Sequence, residues 1–195
     1  MSYRAPVRDL AFALEAVAGI DQVAATGAFV DYDADVMGAV LDAAGQFSEQ
    51  VLAPLNRPGD LAGAKYANGA VTAAPGFVDA YKQFAEGGWT SLTASVEAGG
   101  QALPKALELA AYETVHAANM AFGLCPMLSL ASIEALEQVG TEHQKTTYLT
   151  KLVSGESPFT AVSARLKVAN EGIEARPRSF RPRRHWVRDW REPRP

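Results

Sequence analysis

The sequence predicts an all-α bundle, and three observations point to it. Apolar residues recur at three- and four-residue intervals, glycines and prolines punctuate the segments, and no stretch before Gly155 sustains two-residue alternation. Five or six short-to-medium helices are expected over residues 1–156.

The first candidate is a short helix over Val7 to Val17, where Leu10, Leu14 and Val17 are spaced to share a face. A longer helix is expected from Ala34 to Leu52. There Val36, Met37, Val40, Leu41, Ala44, Phe47 and Val51 make one apolar face, and Asp33 can cap the start. Pro54 is expected to stop it, since proline lacks the N–H that a helix interior uses. Asn56 to Gly76 then reads as loop, with a short hairpin at Asn68-Gly69.

Pro75 opens the next expected helix, whose buried stripe is Phe77, Val78, Tyr81 and Phe84, and Gly87-Gly88 ends it. Ser95 to Leu103 reads as a second loop. Pro104 begins a helix running to about Met120, and Pro126 begins another through Val139, with Met127, Leu130, Ile133 and Leu136 on one face. The last helix starts at a capping box, Thr141 to Gln144, and presents Tyr148, Leu149 and Leu152 before Gly155.

Composition narrows the function classes. The single cysteine, Cys125, excludes an internal disulfide and fits a reducing compartment. No run is read as reaching the roughly 18 apolar residues of a membrane span, and the start lacks a secretory pattern, so a cytoplasmic location and no membrane partner are expected. From Glu174 to Pro195 eight arginines face Glu174, Asp189 and Glu192, a net +5. The chain as a whole carries −4, which leaves −9 for residues 1–173. An acidic body repels nucleic acid. The tail holds Trp186, Trp190 and four of the eleven prolines but no nucleic-acid motif, so it is expected to be disordered rather than a nucleic-acid binder.

Three segments together resemble the acyl-CoA dehydrogenase family. Thr141 to Glu156, TEHQKTTYLTKLVSGE, is similar to that family's T-x-x-Q-K-x-x-Y-L-x-K-L-x-x-G-E. Val96 to Pro104, VEAGGQALP, resembles its E-x-G-G-x-G-L-P loop, with Ala102 where the family has a further glycine. Asn119 to Leu130, NMAFGLCPMLSL, resembles a longer-chain branch with an N-terminal extension, and residues 58–89 agree with that branch. The resemblance implies residues 1–33 as the extension, 34–156 as the helical N-terminal domain, and 157–195 as an unrelated Arg/Pro-rich tail.

For activity, the resemblance implies FAD-dependent oxidation of a fatty acyl-CoA to the trans-2-enoyl-CoA, with an electron-transfer acceptor. In that family a carboxylate from a C-terminal bundle takes the α-proton while a hydride passes to flavin. After Glu156 the family's T-E-P-x-x-G-S-D flavin loop is not seen, and the shift to arginine and proline is read as a truncated or frameshifted product. No catalytic residue is therefore assigned, no cofactor-binding residue is named, and no FAD or activity is expected of this chain by itself. A helical module that binds or regulates an intact dehydrogenase is the alternative.

The resemblance also implies that Leu124, Met127, Leu128 and Ala131 wall an acyl pocket, although the same spacing fits plain bundle core. Gly99-Gly100 lacks a phosphate-loop context and reads as a turn. His116, His143 and His185 have no metal-ligand spacing to one another or to Cys125, and Cys125 is expected to be a buried, inert thiol. An apolar segment from Met120 to Ile133, uncovered by partner domains, is expected to promote self-association.

Overall fold

The computed structural model describes residues 3–68 and 70–156. The chain divides into two units, Met1–Thr160 and Ala161–Pro195, and the described residues all lie in the first. The tail expected to be disordered lies outside them.

The described part is a helical bundle. Its helices are α1 (Val7–Phe12), α2 (Ile20–Ala24), α3 (Ala34–Phe47), α4 (Ala53–Ala62), α5 (Phe77–Glu86), α6 (Lys105–Ala118), α7 (Met120–Val139), α8 (Glu142–Gln144) and α9 (Thr150–Val153). Turns of π-helix extend α1 (Ala13–Val17), join α3 to α4 (Ser48–Leu52) and join α8 to α9 (Lys145–Leu149). One antiparallel hairpin, β1 (Lys65–Ala67) and β2 (Ala70–Thr72), pairs Tyr66 with Val71. Asn68 at its tip takes a φ of 52°, the left-handed geometry for which an Asn-Gly turn is suited.

Helix α3 lies along α6 and α6 along α7, with the core between them. Phe84 of α5 is fully buried at the centre. Its ring centroid lies 5.9 Å from Phe47, 5.9 Å from Tyr112 and 5.6 Å from Phe122, the last two edge-on, so one ring ties α3, α6 and α7 together. The N-terminal segment is part of this core: Leu10, Leu14, Ile20 and Tyr32 are buried in it. Gly45 makes room, since a Cβ there would stand 2.9 Å from Val7 Cγ2.

Several expectations need correction, and proline accounts for two. Pro54 does not stop the chain from continuing as helix. The preceding π turn lets the Ala53 N–H bond to the Ser48 carbonyl, and Pro54 then sits at the start of α4, where no N–H is needed. Pro58 lies inside α4 on its exposed side, so residues 56–62, expected as loop, are helical up to Gly63. Pro126 likewise lies inside α7, which starts six residues earlier because Asn119 caps it.

Three residues also leave their expected faces. Val17 is exposed because the π turn adds residues per turn and rotates it away from Leu10 and Leu14. Val78 is exposed because α5 buries the Ala80–Phe84 side. Met127 is exposed because the buried stripe of α7 runs through Phe122, Pro126, Ser129 and Ile133. The capping box is present as expected: Thr141 N donates to Gln144 Oε1 at 2.9 Å and Gln144 N to Thr141 Oγ1 at 3.3 Å.

The glycine loop before α6 is tightly closed. Leu103 N donates to Leu92 O at 2.8 Å and Ala102 N to Ala94 O at 2.9 Å. A Cβ on Gly100 would lie 2.1 Å from Ala94 O, so only glycine fits there. Ala102 adopts a left-handed φ of 48°, a conformation that costs a residue with a Cβ about 1–2 kcal/mol. Glycine would relieve this at the cost of a floppier unfolded chain, worth about 0.4–1 kcal/mol. Ala102→Gly should therefore raise stability by about 0.5–1 kcal/mol, read as a higher urea midpoint at unchanged slope. A lowered midpoint would contradict the strain at this position.

Candidate functional site

The chemistry-bearing candidates converge on α7, and Asn119 determines how that helix sits. Its side chain is buried, accepting from Phe122 N at 3.1 Å and donating to the Leu52 carbonyl at 3.2 Å. It thus caps α7 and fastens its start to the π turn between α3 and α4. Gly123 permits a close approach to α6, because a Cβ there would stand 2.5 Å from His116 Nδ1.

With Phe122, Pro126, Ser129 and Ile133 turned inward, the opposite side of α7 faces out. Met120 (57% exposed), Leu124 (49%), Met127 (43%) and Leu128 (43%) lie there together with exposed Ala131. This places the four residues named from the sequence on one surface of one helix and shows that they are not bundle core. Across the first three turns that surface carries no charge; Glu134 and Gln138 mark its far end. By length and composition α7 could also cross a membrane, which corrects the expectation that no segment qualifies. Its inner stripe is nevertheless packed into the bundle.

Hollows flank the surface. Between α5 and α7 a groove of about 720 Å3 is lined by Phe77, Val78, Tyr81, Ala121, Phe122 and Cys125. Charged Lys82, Glu86 and Glu156 stand at its rim, while inside it burial pushes the Tyr81 hydroxyl up to about 12 and raises the Cys125 thiol. Cys125 is only half-buried rather than buried as expected. His143 is exposed, in keeping with its place in the capping box.

On the other flank a smaller hollow of about 250 Å3 includes Thr93, Lys105, Leu130 and Glu134. Beside it lies Glu108, a carboxylate that the sequence reading missed. It is 1% exposed, receives a hydrogen bond from Thr93 Oγ1 and has Lys105 Nζ at 2.6 Å. Lys105 also reaches Glu134 at 3.6 Å, and Glu137 accepts from Ser95 N at 2.8 Å. These contacts pin the glycine loop to α6 and α7. The three-residue spacing of Lys105 and Glu108 was the available signal, but such spacing usually marks a solvated pair.

Comparison with known proteins places the fold. Residues 37–156 match the acyl-CoA dehydrogenase N-terminal domain. The chain belongs to the acyl-CoA dehydrogenase family. The 3-methylmercaptopropionyl-CoA dehydrogenase of Ruegeria pomeroyi is 43% identical over 155 residues, covering 80% of this chain and 26% of that protein. The chain therefore spans about a quarter of the length of the relative it matches.

In this family member the glycine loop and the starts of α6 and α7 offer no free backbone donor to a flavin pyrophosphate. A pyrophosphate needs unengaged backbone N–H groups, usually at a glycine-rich helix start. In the glycine loop Gly99 N donates to Val96 O, Gly100 N to Ser95 O, Gln101 N to Ser91 O and Ala102 N to Ala94 O, so each donor is occupied. Pro104, which precedes α6, has no N–H to offer, and the Asn119 side chain already engages the start of α7.

Two outcomes follow. A raised thiol pKa means less thiolate at a given pH, and the thiolate is the nucleophile. At pH 8 Cys125 should react with iodoacetamide several-fold more slowly than a free thiol, with the rate still climbing above pH 9; an equal or faster rate at pH 8 would contradict the burial described. In the second, the uncharged face of α7 should bind a hydrophobe-sensing dye and drive self-association. Leu124→Lys with Leu128→Lys should cut dye fluorescence at least threefold and shift sedimentation towards monomer, and unchanged values would place the sticky surface elsewhere.

Proposed function

We propose that this chain supplies the acyl-facing wall of an acyl-CoA dehydrogenase and does not dehydrogenate by itself. The observation that carries the reading is the outward face of α7, where Leu124, Met127, Leu128 and Ala131 are exposed together on one side of a single helix. A monomeric domain rarely leaves such a stripe bare unless something binds it. Sites for acyl groups are mostly apolar and form between helices, with few polar groups to fix orientation.

The chemical class of ligand is an acyl thioester of coenzyme A. Family membership and the substrate in the relative's name both support this class. In this reading Leu124 and Leu128 exclude water from the acyl chain. Met127 supplies an adaptable thioether surface, and Ala131 leaves room for the chain to pass. The groove side of α7, Ala121, Phe122 and Cys125, adds no charged group at neutral pH, where the Cys125 thiol stays protonated.

Proton abstraction from the α-carbon needs a base within hydrogen-bond reach of that carbon. The buried carboxylate that this domain offers, Glu108, is already engaged by Lys105 and Thr93 and sits on α6 behind the loop. It holds structure and is not available to a substrate. With Glu108 engaged and the glycine-loop donors occupied, this reading assigns the oxidation to segments that the family carries beyond this domain.

Methyl-labelled NMR of the full chain tests the proposal. Octanoyl-CoA should perturb the methyl signals of Leu124, Met127, Leu128 and Ala131 at millimolar concentration, whereas coenzyme A alone should not. The same sample should gain no flavin absorbance after incubation with FAD and should not reduce a dye acceptor. Acyl-dependent shifts confined to another surface, or turnover by the chain alone, would overturn the reading.

A further inference from the structure

We draw no further inference here: the strongest candidate, the apolar groove between α5 and α7 lined by Phe77, Val78, Tyr81, Ala121, Phe122 and Cys125, has a rim where Glu86 and Glu156 stand beside a Lys82 already paired with Asp79, and nothing in the structure shows what covers it.

Discussion

A short buried polar seam between α3 and α6 holds the domain in register, and the position of α7 follows from it. Ser48 Oγ and Thr114 Oγ1 lie 2.9 Å apart, both fully buried. The Thr114 hydroxyl is 2.8 Å from the Ala111 carbonyl and 3.3 Å from that of Ala44. Its one proton goes to a carbonyl, so Ser48 is the donor within the pair. Leaving the Ser48 hydroxyl buried without its partner would cost about 1–3 kcal/mol, which penalises a slip of one helix along the other. Asn119 extends the seam by one more buried contact, to the Leu52 carbonyl at the end of the same π turn.

This seam explains the direction in which α7 faces. Once Asn119 is fixed, Phe122 meets Phe84 and Phe77, and Gly123 lets the helix close on His116. The inner stripe is thereby committed to the core, and the outer stripe stays about half exposed. Burying apolar surface is worth roughly 25 cal/mol per Å2. Leaving four large side chains about half exposed therefore forgoes several kcal/mol, a sizeable share of a typical domain's margin of about 5–15 kcal/mol. A partner surface that recovers this free energy, by covering α7 or by sandwiching an acyl chain against it, fits the family to which the chain belongs.

Much of the architecture was legible in the residues. Helical periodicity located α3 and α5, Pro104 located the start of α6, the Asn68 turn located the hairpin, and Thr141 with Gln144 located the start of α8. What escaped was whatever departs from 3.6 residues per turn. The π turns at Ala13–Val17 and Ser48–Leu52 shift the phase, so Val17 left its expected face and Pro54 was mistaken for a terminator. In α7 the difficulty was different. Apolar residues occupy both sides of this helix, so spacing alone could not say which side its own domain buries. Spacing from Pro126 puts Met127 beside Ile133 on one face, whereas the helix capped at Asn119 buries Ile133 with Phe122, Pro126 and Ser129 and leaves Met127 exposed. Glu108 escaped because nothing in a Lys-x-x-Glu spacing announces burial; a loop distant in sequence, through Thr93, encloses it.

Amide hydrogen exchange along α7 in the Asn119→Ala chain tests the central claim most directly. Losing the cap and the bond to Leu52 should cost about 1–3 kcal/mol. The account predicts that amides of the first two turns of α7 exchange roughly ten-fold faster or more while those of α3 and α6 keep their protection. Unchanged protection at the start of α7, or a uniform loss across all three helices, would contradict the claim that this one side chain sets the helix and the face it presents.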